Sequence, residues 1–168
     1  MLSGESEAGK FPVNAVETMS KINAEAENYA SIQTNNIYFR NQLIFNNNNN
    51  LSYLIANSAV QLADNINAAA IVCLSLTGTT IKNVASLRPK TQIIGCTPTE
   101  KAYRTCSILY NTTGLLTKVT YDDNELIKDI IENCLKNKLI NKGDTIIFVA
   151  GLPLGKSGST NMIKVVIA

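Results

Sequence analysis

Two short runs, each rich in hydroxyls and glycine, hold the residue types that grip an anion. The first is Ser75-Leu76-Thr77-Gly78-Thr79-Thr80, directly after the apolar run Ala68-Ala69-Ala70-Ile71-Val72-Cys73-Leu74. The second is Gly155-Lys156-Ser157-Gly158-Ser159-Thr160, close to the end of the chain, and its Lys156 is the one charge expected to contact a ligand. After the first run, Ile81, Val84 and Ala85 keep helical spacing, so the turn joins a buried strand to a helix. In such a turn the unpaired N–H groups and the positive end of the helix dipole face outward and form a cradle for phosphate. Ser, Thr and Gly serve equally as helix caps and turn residues, so a plain cap and a phosphate cradle both fit the spacing. Neither run is a P-loop. Counted back from Gly155-Lys156-Ser157, the glycine that motif requires is replaced by Ala150, and a strand rather than a long helix follows.

Other chemistry is narrowed by what the 168 residues lack. Histidine is absent, which excludes Ser/His and Cys/His nucleophilic pairs and most zinc and iron sites. Cys73, Cys96, Cys106 and Cys134 show no CxxC spacing, and their apolar surroundings predict buried reduced thiols in a reducing, intracellular compartment. A small phosphoryl-transfer enzyme on a flavodoxin-like sheet would need carboxylates at strand ends to hold Mg²⁺. Asp122, Asp123 and Asp144 stand instead at element starts, where capping explains them, so no metal site is expected. The net charge is only +2 with the basic residues scattered, which argues against a nucleic-acid surface. Apolar residues make up 45% of the chain without any run of membrane-spanning length, so one globular core and no membrane partner are expected. Leu2-Ser3-Gly4-Glu5 is polar and acidic, unlike a signal peptide.

The elements that must position the two loops are read from periodicity. Pro12 opens a helix with Val16, Met19, Ile22, Ala26 and Tyr29 on one stripe. Residues 33–50 are biased toward Asn, with an unbroken run from Asn46 to Asn50, and read as a mobile connection. A second helix places Leu51, Leu54, Ile55, Ala59, Leu62 and Ile66 at three-to-four spacing. Strands follow at 69–74, 92–96, 114–120, 145–150 and 161–167, the first four separated by helices. Thr97-Pro98-Thr99-Glu100 reads as a capping box, and Asp122 with Glu125 starts the helix carrying Leu126, Ile127, Ile130, Ile131 and Cys134. The strands are short and apolar throughout, as when helices cover both faces. The expected fold is therefore α/β, an open and mostly parallel five-stranded sheet with helices on both faces. Its core is drawn from Ile71, Val72, Ile93, Ile94, Ile146, Phe148 and Val165. Ligands of such sheets bind beyond the carboxyl ends of the strands, so the two loops converge if the first and fourth strands are neighbours.

The residues also resemble a known family in order along nearly the whole chain. Met1-Leu2-Ser3-Gly4-Glu5, then Gly9-Lys10-Phe11-Pro12-Val13 and Ala15-Val16, resemble the MLSGETA-x-G-x-YP-x-x-AV segment of pyruvate kinases, with Ser6 where threonine is usual. Arg88-Pro89 with Ile93-Ile94 resembles the RP-x-x-PII stretch. Gly143-Asp144 and the tail from Ala150-Gly151-Leu152-Pro153-Leu154 through Gly155 to Asn161 resemble the GD…AGVPVG-x-TGTTN ending, closest to bacterial and plastid-type members.

The resemblance implies that residues 1–11 are a remnant of the catalytic barrel edge and that 12–168 form the C-terminal effector-binding domain. It implies a parent enzyme of glycolysis that moves a phosphoryl group from phosphoenolpyruvate to ADP with Mg²⁺ and K⁺, its catalytic residues and metal ligands lying in a barrel outside this chain. The chain by itself is then inactive and needs no cofactor. In the family this domain binds a phosphorylated effector and pairs with its copy in a tetramer. The effector loop corresponds to Ser75, Thr77, Gly78, Thr79 and Thr80, and the second loop to Lys156, Ser157, Gly158, Ser159 and Thr160. Members that take fructose 1,6-bisphosphate often carry an arginine early in the last helix, and the matching position, near Leu126, is uncharged. A sugar monophosphate or a nucleotide monophosphate is therefore the expected effector, in the cytoplasm or a plastid. A free-standing phosphometabolite-binding protein without catalysis is the alternative.

Overall fold

Short β-branched and aliphatic runs bounded by turn residues pair into one sheet, and the longer periodic runs between them coil into helices. The computed structural model describes residues 3–32, 50–118, 123–151 and 160–168. The chain divides into two compact units, Met1–Asn41 and Gln42–Ala168. Within the described residues the first unit holds α1 (Gly4–Glu7) and α2 (Pro12–Ile32). The second runs α3 (Leu51–Ile66), β1 (Ala70–Leu74), α4 (Thr79–Ser86), β2 (Gln92–Thr97), α5 (Glu100–Cys106), β3 (Thr112–Leu116), α6 (Asp123–Lys136), β4 (Thr145–Ala150) and β5 (Met162–Ile167). None of the described helices is long and apolar enough to cross a membrane.

The sheet order is β3-β2-β1-β4-β5. Strands β1 to β4 are parallel, and β5 returns antiparallel to β4 along the edge. Alternation along each central strand sends side chains to two separate cores. Ile71, Cys73, Ile93, Ile147 and Val149 pack under α3, α4 and Cys106 of α5. Ala70, Val72, Ile94, Cys96, Ile146 and Phe148 pack against Leu126, Ile127, Ile130 and Cys134 of α6. Helices thus cover both faces, as the continuous apolar strands require. Gly95 and Gly114 stand side by side in the β2–β3 register. A Cβ on the first would lie 2.8 Å from Cys106 Sγ, and on the second 2.9 Å from the Tyr103 ring, so α5 rides directly on the two glycines.

Several expectations are corrected. Val165 is 48% exposed rather than core. It stands opposite Ile147 on the edge strand, beyond the helix layer that buries its neighbour. The buried face of α3 is Tyr53, Ala56, Ala59, Val60 and Ala63, while Leu51 and Ile66 of the anticipated stripe are exposed. Alanines let the helix axis approach the sheet closely, so the small residues face inward and the larger ones flank them. Asn50, expected in the mobile connection, is the N-cap of α3: its side-chain oxygen accepts from Tyr53 N–H at 3.2 Å. The remainder of that connection lies outside the described residues.

Candidate functional site

β1 and β4 are parallel neighbours, and from β1 the chain moves outward to β2 and β3 on one side and later to β4 on the other. The order therefore reverses between them, which makes this the switch point of the sheet and the place where α/β folds bind ligands. The first loop leaves the carboxyl end of β1 there. Ser75 N–H still pairs with the Cys96 carbonyl at 3.0 Å, so the loop starts from fixed β-structure. The Ser75 hydroxyl then accepts from Gly78 N–H at 3.0 Å and closes a tight turn. Gly78 is the N-cap of α4 with φ of 83°, a left-handed backbone that glycine takes without strain. It is also backed by Ala102 of α5, whose Cβ would lie 3.5 Å from a side chain there.

The N-cap of α4, being glycine, offers no side-chain cap. Its ladder begins with Lys82 N–H donating to the Gly78 carbonyl at 2.9 Å. The amides of Thr79, Thr80 and Ile81 precede it, and the helix provides them no carbonyl. Gly78 N–H is already taken by Ser75, so the donors for an anion are those one to three residues further on. Thr77 and Thr79 are exposed at the mouth, with their hydroxyls 2.9 Å apart. Thr80 turns inward, is 6% exposed, and shares a 2.7 Å hydroxyl–hydroxyl bond with Thr160, itself 3% exposed. This bond, between residues 80 apart in sequence, joins the first loop to the last residue of the second. Asn161 N–H donates to the Ala150 carbonyl at 3.0 Å and fixes Thr160 to the β4–β5 ladder. Lys156, Ser157, Gly158 and Ser159 lie outside the described residues.

Two further residues support the site that sequence reasoning assigned to something else. The Leu76 carbonyl accepts from Thr99 Oγ1 at 2.9 Å, and Thr97 Oγ1 lies 3.5 Å from the same oxygen. Thr97-Pro98-Thr99-Glu100 was expected as a capping box with Thr97 as cap; instead Thr99 is the N-cap of α5, without any side-chain cap bond. A hydroxyl just before a helix signals a cap in any sequence, and nothing local announces a carbonyl more than 20 residues upstream.

Chemistry at the described site is limited to hydrogen bonding and helix-dipole attraction. The described residues contain no group of three or more His, Cys, Asp or Glu able to hold a metal ion. All four cysteines are free and buried. Burial raises the thiol pKa in each, to about 11 for Cys134, and Cys73 and Cys96 are raised further by neighbouring thiols. They remain protonated at neutral pH, which suits packing and not nucleophilic attack.

Comparison with known proteins agrees with the fold. The family described as "Pyruvate kinase, alpha/beta domain" matches residues 54–166. A pyruvate kinase of Clostridium acetobutylicum is 35% identical over 98% of this chain and 34% of its own length. One from Staphylococcus aureus is 33% identical over 98% of this chain and 28% of its own. A crystal structure of a pyruvate kinase from Cryptosporidium parvum superposes with a TM-score of 0.76 at 26% identity, covering 99% of this chain and 32% of that one. The chain thus spans about a third of the length of the relatives it matches.

Proposed function

Since this chain belongs to the pyruvate kinase family, whose alpha/beta domain it contains, we propose that it is the regulatory and self-associating part of an enzyme that transfers phosphate from phosphoenolpyruvate to ADP. The active site and the ligands for Mg²⁺ and K⁺ belong to the rest of that parent protein, so this chain alone forms no pyruvate. Its own task is to bind a phosphorylated small molecule between the two loops.

The observation that carries this reading is the uncapped start of α4 at the switch point, roofed by exposed Thr77 and Thr79 and tied through Thr80 to Thr160. The Thr79, Thr80 and Ile81 amides and the Thr77 and Thr79 hydroxyls are the donors to phosphate. On this proposal the second loop contributes the hydroxyls of Ser157 and Ser159, the backbone of Gly158 and the positive charge of Lys156. The position near Leu126, where members that take a bisphosphate often carry an arginine, is uncharged, which supports a monophosphate, of a sugar or a nucleotide, over a bisphosphate. Self-association runs through β5, an edge strand with Val165 48% and Ile167 71% exposed and only Lys164 to guard it. Four buried free thiols suit a reducing intracellular compartment.

Calorimetric titration with glucose 6-phosphate, adenosine 5′-monophosphate and fructose 1,6-bisphosphate tests the reading. One of the monophosphates should bind, and Thr77→Ala with Thr79→Ala should weaken it about tenfold or more, because bonds to a charged group are worth roughly 1.5–3 kcal/mol each. Absence of binding by all three esters at millimolar concentration reduces the first loop to a helix start. Unchanged affinity in the double variant moves the site elsewhere.

A further inference from the structure

The peptide between Leu76 and Thr77 lies within the first loop, between β1 and the start of α4, and its orientation bears on what an incoming anion meets. A trans peptide is planar, with C=O and N–H on opposite sides. Turned one way, the Leu76 carbonyl faces β2 and α5; flipped, the plane would carry that partly negative oxygen toward the ligand's side of the loop. The structure holds the first orientation. Thr99 Oγ1 donates to the carbonyl at 2.9 Å. Thr99 is itself held: its N–H donates to Thr97 Oγ1 at 3.3 Å, the two hydroxyls are 3.3 Å apart, and Thr97 is fully buried.

This arrangement has a cost elsewhere. Thr99 is the N-cap of α5, where its hydroxyl would ordinarily accept from an amide of the first turn, yet it makes no cap bond. A helix that gives up its cap so that the hydroxyl can hold a carbonyl in another loop is hard to explain by local stability alone. On the reading that the first loop takes a phosphate, we infer that Thr99 is a positioning residue for that loop: it locks the Leu76–Thr77 peptide with the carbonyl turned away from the anion. It touches no ligand and acts only through the loop's backbone.

The test compares the full chain with Thr99→Val, which keeps the shape and loses the hydroxyl, and Thr99→Ser, which keeps the donor. Glucose 6-phosphate and adenosine 5′-monophosphate are titrated calorimetrically, and amide exchange is followed at Leu76, Thr77 and Gly78. Thr99→Val should weaken the ester that binds by about two- to tenfold, the range of one ordinary hydrogen bond. It should also speed exchange in the loop while exchange in β1 and β4 stays as it was. Thr99→Ser should restore both. If the unmodified chain binds and Thr99→Val binds equally well, the positioning role is wrong and the phosphate site stands. If Thr99→Val weakens binding only by loosening the whole sheet, seen as faster exchange in β1 and β4 too, the role is structural and the inference falls. If the unmodified chain binds neither ester, both readings fall together.

Discussion

α2 and α3 look alike as sequence and behave differently as structure. Each carries apolar residues at helical spacing over four turns or more. Along α2, no described side chain is buried, and Val13, Val16, Ile22 and Tyr29 are 48–70% exposed. Along α3, seven residues are buried, including Ala56, Ala59, Val60 and Ala63. Periodicity reports that a helix has a face to bury; it does not report what the face is buried against. For α3 the answer is the sheet of its own unit. Among the described residues of Met1–Asn41 the apolar face of α2 has no such cover, and the family match begins only at residue 54.

The contrast is sharpest when one substitution is made in both regions. Ile146→Asp would put an unpaired carboxylate at a fully buried position of β4, in the core shared with α6. It should destabilise the α/β unit by about 3–5 kcal/mol, seen as loss of the cooperative urea transition. Ile22→Asp, at a side chain 62% exposed, should change stability by no more than about 0.5 kcal/mol. A large effect from Ile22→Asp would break the comparison and show that α2 is packed in solution.

Glycines give a second, smaller pair. Gly95→Val would drive its Cβ to 2.8 Å from Cys106 Sγ and 3.0 Å from Ile81 Cδ1, and should cost about 1–3 kcal/mol as α4 and α5 are pushed off the sheet. A Cβ at Gly4 meets nothing within 4 Å, so Gly4→Ala should be neutral or slightly favourable for α1. Thermal melts followed by circular dichroism report both.

Much of the α/β unit was legible because its causes are local. Strands flanked by Gly, Pro and Asp, and helices between them, follow from runs such as Thr145–Ala150 and from the periodicity of Ile127, Ile130 and Cys134. The adjacency of β1 and β4, the condition on which the two loops were expected to converge, is met. Three features were not legible, for one shared reason. The inward face of α3 is set by how closely alanine lets it approach a sheet not yet assembled. The bond between Thr80 and Thr160, and that between Thr99 and the Leu76 carbonyl, join segments that are distant in sequence and carry no marker except hydroxyls that could equally cap a helix. The same ambiguity hid Asn50, a cap at the end of a run of asparagines.

Alkaline pH separates the regions without mutation, since every cysteine lies in the α/β unit. Each thiol pKa is raised by burial above its ordinary value near 9.0, to about 11 for Cys134. The folded state therefore holds the proton more tightly than the unfolded one. That advantage is complete below the ordinary thiol value and is lost as pH rises through it toward the folded pKa. Urea midpoints of the α/β unit should be flat from neutral pH to about 8 and then fall between about 9 and 11, within the range set by unperturbed and buried thiols. Cys134→Ala should make that fall shallower while lowering stability at neutral pH through the small void it leaves. A fall of equal steepness in the variant would assign the alkaline limb to other groups.

The smallest expected effect concerns helix starts. Asn50 satisfies one of the orphan amides of α3 by accepting from Tyr53 N–H, and Tyr53 is itself 5% exposed in the core. Asn50→Ala removes the side-chain acceptor and leaves Tyr53 N–H only the Asn50 backbone carbonyl at 3.0 Å, and should cost about 1 kcal/mol, the usual value of such a cap. Asn50→Asp should cost less, because a carboxylate accepts the same bond and suits the positive end of the helix. In α2 the nearest counterpart is Thr18, whose hydroxyl donates back to the Asn14 carbonyl at 2.8 Å on an exposed surface. That carbonyl already has a helical partner, so Thr18→Ala should change stability by less than about 0.5 kcal/mol. If Asn50→Ala is as mild as Thr18→Ala, the start of α3 frays in solution, and its hold on the sheet begins only at the alanine face from Ala56 onward.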